Sequence, residues 1–417
     1  MAVTETTNVG WGSRLGSSIK GVLFGLVLFV VGFPVLFTNE GNYVKTAKAL
    51  DEGEGACTAL ESPGVVDPEM NGRLVHLSGR ADTKDVLSDD VFGVSATAIR
   101  LSRKVEMYQW REHRKTEEKK KLGGSVEKKT TYTYDKAWSE ELIPSGDFKE
   151  PGHDNPAAME FASEERTASA VSFGAFKLNE RQIARIGSAQ AYQFPTDFVC
   201  RVERVQMQGS TIYVPEQATR TNKLNNRVVA TQPRIGDMRV TFEVVYPHDI
   251  SIVAKQRGDS FVGYTAKTGK KVDLLSDGIR DSAEMFASAR SGNSMFTWLV
   301  RIGGFMLMFF GLSMVLKPLS VLGDVLPILG DIVEMGAGIV AFLAALVCAI
   351  ATIAIAWLFY RPVVAVLLLA VAGAVVFWIV AKRKRAATPY TLIPDFCKWD
   401  ASGHGRGRAS GGVGAGG

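Results

Sequence analysis

The sequence predicts a multi-pass α-helical membrane protein with four spans and a large α+β, β-rich extracytoplasmic domain between spans one and two. Three observations lead to this fold class. Apolar residues form one run near the N-terminus and three near the C-terminus, and a helix needs about 20 such residues to cross roughly 30 Å of hydrocarbon. The middle of the chain carries nearly all the charge. That middle segment also contains the apolar and polar alternation that is typical of half-buried strands.

The first apolar run covers residues 19–37 and has no charge after Lys20. A cleavable signal peptide is the alternative explanation. The small-residue pattern at residues 47–49 resembles a cleavage site, but it lies about ten residues beyond the run, and the run is longer than the apolar region of a signal peptide. We therefore expect an uncleaved anchor, preceded by a cytoplasmic N-terminus at residues 1–18.

The three C-terminal runs predict three further spans. Arg301 is the one charge in the first of these runs, and only Arg361 and Pro362 separate the last two. So short a joint forces the last two helices to be antiparallel. The predicted segments are span two (297–316), a cytoplasmic amphipathic loop (317–335), span three (336–360), span four (362–381) and a basic, then Gly-rich, cytoplasmic tail (382–417).

Basic residues beside the spans indicate the orientation, because they are retained on the cytoplasmic side. Lys382–Arg385 follow the fourth span, and Arg14 and Lys20 border the first. Both chain ends are then cytoplasmic, and residues 38–296 form the extracytoplasmic domain. That segment has 36 Lys and Arg against 37 Asp and Glu, so the net charge of +5 belongs to the flanks and the tail. This distribution favours membrane lipids over nucleic acid as a partner.

A hairpin arm is predicted at residues 103–140, where aromatic side chains lie among charged ones. Folding about Gly124 would bring Trp110 opposite Trp138, and Tyr132, Tyr134 and Trp138 share one strand face. Such aromatic residues could instead form a binding platform. We favour the structural explanation, in which they brace a hairpin whose charged tip projects outside the membrane and can contact a protein.

The loop and the second span contain charged residues that permit two explanations each. Asp324, Asp331 and Glu334 could form a proton or cation site, but an interfacial helix also needs such a polar stripe, and we favour the helix. Arg301 could line an ion path or bind a lipid phosphate. It lies close to the outer end of its span, so we expect its guanidinium to reach the interface.

Small residues in the spans predict close helix packing. Gly21 and Gly25 form a Gly-x-x-x-Gly pair in span one, and Gly304 and Gly311 lie on one face of span two.

Motifs for catalysis or metal binding are absent from the sequence, which has no G-x-S-x-G and no H-E-x-x-H. His153 and Asp154 could begin a metal site, but a metal needs three or four ligands, so we favour a turn there. Cys57 and Cys200 are the only pair in the predicted extracytoplasmic segment, and the sequence leaves open whether they form a disulfide. We predict a protein that is not an enzyme, with no catalytic residue, no cofactor and no metal.

Eleven segments carry a family resemblance, and they extend from Asn39 to Pro362. They are NEG, GRLVHLSG, LSDDVFGV, RKVEMYQW, YTYDKAW, GHDNPAAM, IGDMRVTF, VAKQRGD, SGNSM, TWLVRIGGFMLMFFGL and WLFYRP. In this order they resemble the LUMA family, also called transmembrane protein 43. The resemblance implies a four-pass protein with one large lumenal or extracytoplasmic domain, and no catalytic residues come with it.

The function that we expect is that of a non-enzymatic membrane scaffold, which organises membrane protein complexes through self-association and its extracytoplasmic domain. The alternative is a channel or transporter subunit that uses Arg301 and the acidic loop 324–334. The resemblance implies that animal members lie in the endoplasmic reticulum and inner nuclear membrane and act with emerin and lamins. The Ala-, Gly- and Val-rich spans and the Gly-rich tail favour a bacterial member in the inner membrane, for which lamins are not partners.

Overall fold

The computed structural model describes residues 3–203, 205–216, 229–362, 370, 374, 377 and 378. Most of the predicted fourth span (362–381) and the whole predicted tail (382–417) lie outside the described residues. In the rest of the chain, three helices are long and apolar enough to cross a membrane: Trp11–Ala56, Ser282–Gly323 and Gly330–Tyr360. Together with a large β-rich domain, they confirm the prediction of a membrane protein of mixed architecture.

The helices are α1 (Trp11–Ala56), α2 (Glu180–Ile183), α3 (Ser282–Gly323) and α4 (Pro327–Tyr360), with a 3₁₀ turn at Pro68–Met70. The long helices extend well beyond the predicted spans, because the segments next to the membrane continue each helix. At 46 residues, α1 is about 69 Å long. The Asp281 side chain caps α3 by accepting a hydrogen bond from the Glu284 N–H (2.7 Å).

The predicted loop at 317–335 is mostly helical, which corrects the sequence-based boundary. Residues 317–323 continue α3, and α4 already begins at Pro327. Only residues 324–326 connect the two helices. Proline at the first helical position explains the early start. Its fixed φ angle suits a helix, and a backbone N–H at that position would have no hydrogen-bond partner within the helix.

The β-rich domain contains two large sheets and two small two-stranded ones. The strands are β1 (Val3–Val9), β2 (Thr58–Ala59), β3 (Leu74–Asp82), β4 (Val86–Asp89), β5 (Val94–Thr97), β6 (Arg100–Lys120), β7 (Val126–Ser139), β8 (Glu164–Thr167), β9 (Ser172–Phe173), β10 (Phe176–Lys177), β11 (Gln190–Ala191), β12 (Gln206–Gln208), β13 (Thr211–Val214), β14 (Met238–Val245), β15 (His248–Arg257), β16 (Ser260–Val262), β17 (Tyr264–Thr265), β18 (Lys271–Val272) and β19 (Leu274–Asp277).

The first large sheet has the order β1-β7-β6-β14-β13-β12, and the second has the order β19-β15-β16-β10-β9-β3-β2 with β15 also paired to β3. The two largest cores lie against these two sheets, and the larger aromatic residues of these cores, such as Phe242 and Phe261, are almost fully buried. The C-terminal end of α1 packs Leu50 against Val253 of the second sheet and Phe286 of α3. This contact fixes the helices to the domain.

The predicted hairpin arm forms, but its turn is centred on Gly123 and not on Gly124. Lys120 lies opposite Val126, and the Gly124 N–H donates to the Lys121 carbonyl (3.1 Å). Gly123 and Gly124 have φ angles of +86° and +79°. Glycine adopts these angles without the steric cost that a side chain would add.

A one-residue shift of the turn moves every cross-strand pair by two positions. Trp138 therefore lies opposite Tyr108, with ring centroids 5.2 Å apart, and Trp110 lies opposite Lys136. The expected Trp110 and Trp138 pair is wrong. Both tryptophans nevertheless keep the predicted strand face, because side chains alternate with a period of two.

The N-terminus adds a third strand to the arm, which the sequence analysis did not predict. β1 pairs antiparallel with β7 from Val3, opposite Tyr132, to Val9, opposite Val126. We call β1, β7 and the part of β6 beyond Met107 the arm, and residues 121–125 the arm tip. The chain turns at Gly10 into α1, so α1 begins beside the arm tip.

The arm contacts segments that the sequence analysis assigned to the other side of the membrane. Residues 1–18 and 317–335 were assigned to the cytoplasm, and the arm to the opposite side. The structure pairs β1 with the arm, and the Gly123 N–H at the arm tip donates to the Val325 carbonyl (3.1 Å). The arm tip, the N-terminus and the connection between α3 and α4 therefore form one hydrogen-bonded unit in this structure.

Candidate functional site

One buried carboxylate joins all three long helices. Glu40 of α1 accepts hydrogen bonds from Arg301 of α3 at both oxygens, at 2.6 Å from Nε and 2.8 Å from Nη2. It also accepts one from the Trp357 indole of α4 at 2.8 Å. The Glu40 side chain is fully buried and that of Arg301 is 14% exposed. We call Glu40, Arg301 and Trp357 the helix hub.

Residues next to Glu40 complete the hub. The Asn39 side chain donates to the Thr297 carbonyl at 3.2 Å. Gly41 lies against the Tyr360 ring, and a Cβ atom at Gly41 would come within 2.5 Å of it. Each residue of the segment NEG thus contacts another helix. Asn39 does so through its amide, Glu40 through its carboxylate, and Gly41 because it has no side chain.

Arg301 has a protein partner that the sequence analysis did not identify. Its guanidinium is bound by Glu40, and it also covers the Trp298 ring at 4.7 Å. The structure does not bring Arg301 to the acidic loop, because 22 residues of α3 separate Arg301 from Gly323, about 33 Å along the helix.

A second ion-pair cluster lies at the other end of the helices. Lys120 of the arm contacts the three acidic residues of the predicted loop, at 2.9 Å from Asp324, 2.9 Å from Asp331 and 2.7 Å from Glu334. Arg14 of α1 binds Asp324 at 2.5 Å. We call these five residues the tip clamp. Two cations therefore pair with the three carboxylates that the sequence offered as a proton or cation site.

Further contacts hold the arm tip beside α1 and α3. The Arg14 guanidinium also donates to the Gly124 carbonyl at 2.6 Å. The Trp11 indole donates to the Val321 carbonyl at 2.8 Å, and its ring lies against Gly124. Gly124 has no side chain that would displace the Trp11 ring. The position therefore favours glycine both for this contact and for its positive φ angle.

The charges of the tip clamp shift two pKa values in opposite directions. Burial opposes ionisation of Asp324, but the hydrogen bonds from Lys120 and Arg14 outweigh it and hold the pKa of the Asp324 carboxyl below its usual value. Burial also disfavours the Lys120 ammonium, yet the hydrogen bonds to Glu334, Asp324 and Asp331 outweigh it and raise the pKa of Lys120 above its usual value. Both groups are therefore charged at neutral pH.

Three of the four predicted packing glycines lie in the seam between α1 and α3. A Cβ atom at Gly25 would come within 2.7 Å of the Gly311 carbonyl, and one at Gly304 within 2.5 Å of Leu36. Gly311 in turn lies against the backbone of Gly25 and Phe29. Gly21 is different, since nothing lies within 4 Å of the position its Cβ would take.

The aromatic residues of the arm pack at its base. His153 stacks on Tyr134 with ring centroids 4.0 Å apart, and Trp110 contacts the His153 ring edge-on at 4.4 Å. Tyr132 is buried and donates to Glu5 of β1 (3.2 Å). Trp138 is covered by the Arg239 guanidinium at 4.9 Å.

His153 and the cysteines of the domain were candidates for metal binding or a disulfide. The described residues contain no group of three or more His, Cys, Asp and Glu side chains that could hold a metal ion. Cys57 and Cys200 are free thiols that belong to different cores. Burial, followed by the charge of Glu54, raises the pKa of Cys57 to about 11, so this thiol is protonated at neutral pH.

Sequence reasoning missed Glu40, Trp357, Arg14 and Lys120 as members of these clusters. A signal for the hub was present, because Glu40 lies just after the first apolar run and Arg301, of opposite charge, is the one charged residue of the second run. Consecutive spans are antiparallel, so their neighbouring ends meet. No such signal existed for Lys120, which is one of several lysines near the turn.

Comparison with known proteins identifies the family. The family model described as Transmembrane protein 43 matches residues 107–362. Transmembrane protein 43 of Rattus norvegicus is 35% identical over 377 residues, which cover 88% of this chain and 91% of the relative. The chain belongs to the transmembrane protein 43 family. This membership confirms the resemblance found in the sequence motifs.

Other members of the transmembrane protein 43 family are similar over comparable lengths. The Homo sapiens protein is 34% identical over 396 residues, which cover 92% of this chain and 94% of the relative. The Drosophila melanogaster homolog is 28% identical over 363 residues, with 85% and 93% covered. No solved structure matches this chain. The similarity to these relatives therefore extends over most of the chain and is not confined to one shared segment.

Proposed function

We propose that this member of the transmembrane protein 43 family is a non-enzymatic membrane scaffold that self-associates through the outer edge of β6 in the arm. The long helices anchor it in the membrane, and the β-rich domain and the arm provide the association surfaces for a second copy and for other membrane proteins. The flank charges favour a location of the domain outside the cytoplasm.

The observation that carries this proposal is the free edge of β6. Its pairing with β14 ends at Met107 opposite Met238, and from Arg111 to Lys120 its one strand neighbour among the described residues is β7. The Tyr108 N–H donates away from β7 to the Asp237 carbonyl, and the Trp110 N–H to the Asn155 side chain. Because the backbone alternates, the N–H and C=O groups of even-numbered residues beyond Trp110 also face outward. Such an edge is a template for another strand.

The charges on this edge complement one another across a two-fold axis at Thr116. Antiparallel pairing of two copies about Thr116 brings Lys115 opposite Glu117 and Arg114 opposite Glu118. Opposite charges in cross-strand pairs contribute about 0.2–1 kcal/mol each, and a two-fold contact repeats every pair. A second copy of this chain therefore fits the edge.

A charge exchange on the full-length protein in mild detergent tests the proposal. Lys115→Glu places a second carboxylate opposite Glu117 of the other copy and should lower dimer affinity, whereas the double variant Lys115→Glu with Glu117→Lys restores opposite charges. Lys115 and Glu117 are 80% and 63% exposed, so neither change disturbs a core. Dimer affinity is measured by analytical ultracentrifugation. Equal affinity in all three proteins, or a monomeric wild type, contradicts the proposal.

Disulfide crosslinking checks the two-fold axis. Thr116→Cys should form a disulfide-linked dimer on mild oxidation, because residue 116 of each copy lies opposite its counterpart. Thr133→Cys is the matched control, since Thr133 is also exposed but belongs to β7, the central strand of the arm. Equal crosslinking at the two positions would assign the contact to another surface.

A further inference from the structure

A cleft of about 580 Å³ lies between the arm, α1 and α3, close to the tip clamp. One part of its lining is polar and basic, with Arg14 and Ser17 from α1, Lys128 from the arm and Lys317 from α3. Another part is apolar and includes Phe310 and Met314 of α3. The volume falls in the range of about 300–1,000 Å³ that is usual for small-molecule sites.

The charges in the lining are unbalanced. Glu118 is the one acidic side chain of the lining, and it pairs with Lys128 at 2.6 Å. Arg14 pairs with Asp324, outside the cleft. Lys317 forms no ion pair with any carboxylate in the described part of the chain, so its ammonium is available to an anion. The cleft thus presents net positive charge.

The residues that line the cleft lie around the start of the first apolar run. Gly21 lines it two residues after the apolar run begins at Ile19, and Arg14 and Ser17 lie just before the run. The cleft therefore spans the level at which lipid headgroups meet hydrocarbon. No atom lies within 4 Å of the position that a Gly21 Cβ would take, so this glycine keeps the apolar part of the cleft open.

We propose that this cleft binds an anionic phospholipid, with its phosphate at Lys317 and Lys128 and the first part of its acyl chains against Phe310, Met314 and Gly21. The basic part alone would suit free phosphate as well. The apolar part favours a lipid, because an acyl chain can pack against Phe310 and Met314 and a free phosphate cannot. This proposal does not depend on self-association of the arm.

Native mass spectrometry of the full-length protein in mild detergent tests it, with phosphatidylglycerol and phosphatidylcholine as probes. Wild type should retain phosphatidylglycerol preferentially. Lys317→Gln should weaken this binding about fivefold, which corresponds to one basic residue at an anionic headgroup. The matched control is Lys20→Gln, because Lys20 is exposed on α1 but does not line the cleft.

A second variant tests the apolar part. Gly21→Leu should fill the open space and displace the lipid without disturbing helix packing, whereas Gly16→Leu should not, since Gly16 also has open space around it but does not line the cleft. Equal retention of both lipids by the wild type overturns the proposal. Retention of phosphatidylglycerol that is unchanged in the Lys317→Gln and Gly21→Leu variants also overturns it. Displacement of the lipid by inorganic phosphate at equal concentration would assign the site to phosphate instead.

Discussion

Glu40 and Arg301 form a two-point ion pair that joins α1 to α3 at the domain end of the helices, with Trp357 of α4 bound to the same carboxylate. Two parallel N–H to oxygen bonds fix both the distance and the orientation of the partners. A single acidic side chain therefore determines how three helices meet.

Removal of the charge at Glu40 should destabilise the helix bundle. Glu40→Gln leaves the Arg301 guanidinium buried without its counter-charge, and loss of one partner of a buried pair costs about 3–5 kcal/mol. We expect a lower Tm in detergent, measured by circular dichroism at 222 nm. The double variant Glu40→Leu with Arg301→Met removes both charges and should recover most of the loss. An unchanged Tm for Glu40→Gln would mean that the pair contributes nothing to stability.

Acid should release the arm tip from α3. The pKa of Asp324 is lower in the folded protein than the value of about 3.9 expected for an unfolded chain, so its contribution to stability is present above that value and is lost as pH falls through the folded pKa. Spin labels at Leu122→Cys and Leu319→Cys, both exposed positions, report the distance between the arm tip and α3. As pH is lowered from neutral, the distance should increase only in that acid range.

Alkaline pH should also release the arm tip, because it removes the charge of Lys120. The pKa of Lys120 is raised, so its contribution to stability is complete below about pH 10.4 and is lost as pH rises through the folded value.

Two variants serve as controls for the acid transition. Asp324→Asn should abolish this transition, whereas Asp154→Asn, outside the tip clamp, should leave it intact. A labelled distance that stays constant from acid to alkaline pH in the wild type would contradict this account of the clamp.

Labelling from one side of the membrane should reach both the N-terminus and the arm tip. Thr7→Cys and Leu122→Cys place thiols at exposed positions of β1 and of the tip. A membrane-impermeant maleimide added to sealed vesicles should modify either both introduced cysteines or neither of them. The wild-type chain, treated in the same way, gives the background from the native cysteines. Modification of one position from the outside and the other only after lysis would show that the arm leaves the N-terminus in a bilayer.

A large side chain at Gly311 should separate α1 from α3. A Cβ atom there would come within 2.6 Å of the Gly25 carbonyl and the Phe29 nitrogen, and backbone atoms cannot move aside cheaply. We expect Gly311→Leu to destabilise the protein by about 1–3 kcal/mol or more, measured as a fall in Tm. Gly303→Leu is the matched control, because nothing lies within 4 Å of that position. Equal effects would exclude close packing as the cause.

The sequence predicted the features that depend on local pattern. Apolar runs indicated the membrane helices, alternation and the Gly123 and Gly124 pair indicated the hairpin, and motif order indicated the family. Gly25, Gly304 and Gly311 were also found, because small residues at helical spacing signal close packing wherever the partner lies. Each of these signals is contained in a few neighbouring residues.

The tertiary structure decided what depends on residues far apart in the chain. The strand β1 exists because β7 offers an edge to it, and no alternation in Val3–Val9 marks it as a strand without that partner. The acidic residues near 324–334 look like a cation site until Lys120, which lies 214 positions before Glu334, is brought against them. The sequence by itself determined the apolar helices, the hairpin and the family to which this chain belongs; which charges meet was decided by the fold, because ion pairing depends on distance in space and not on separation along the chain.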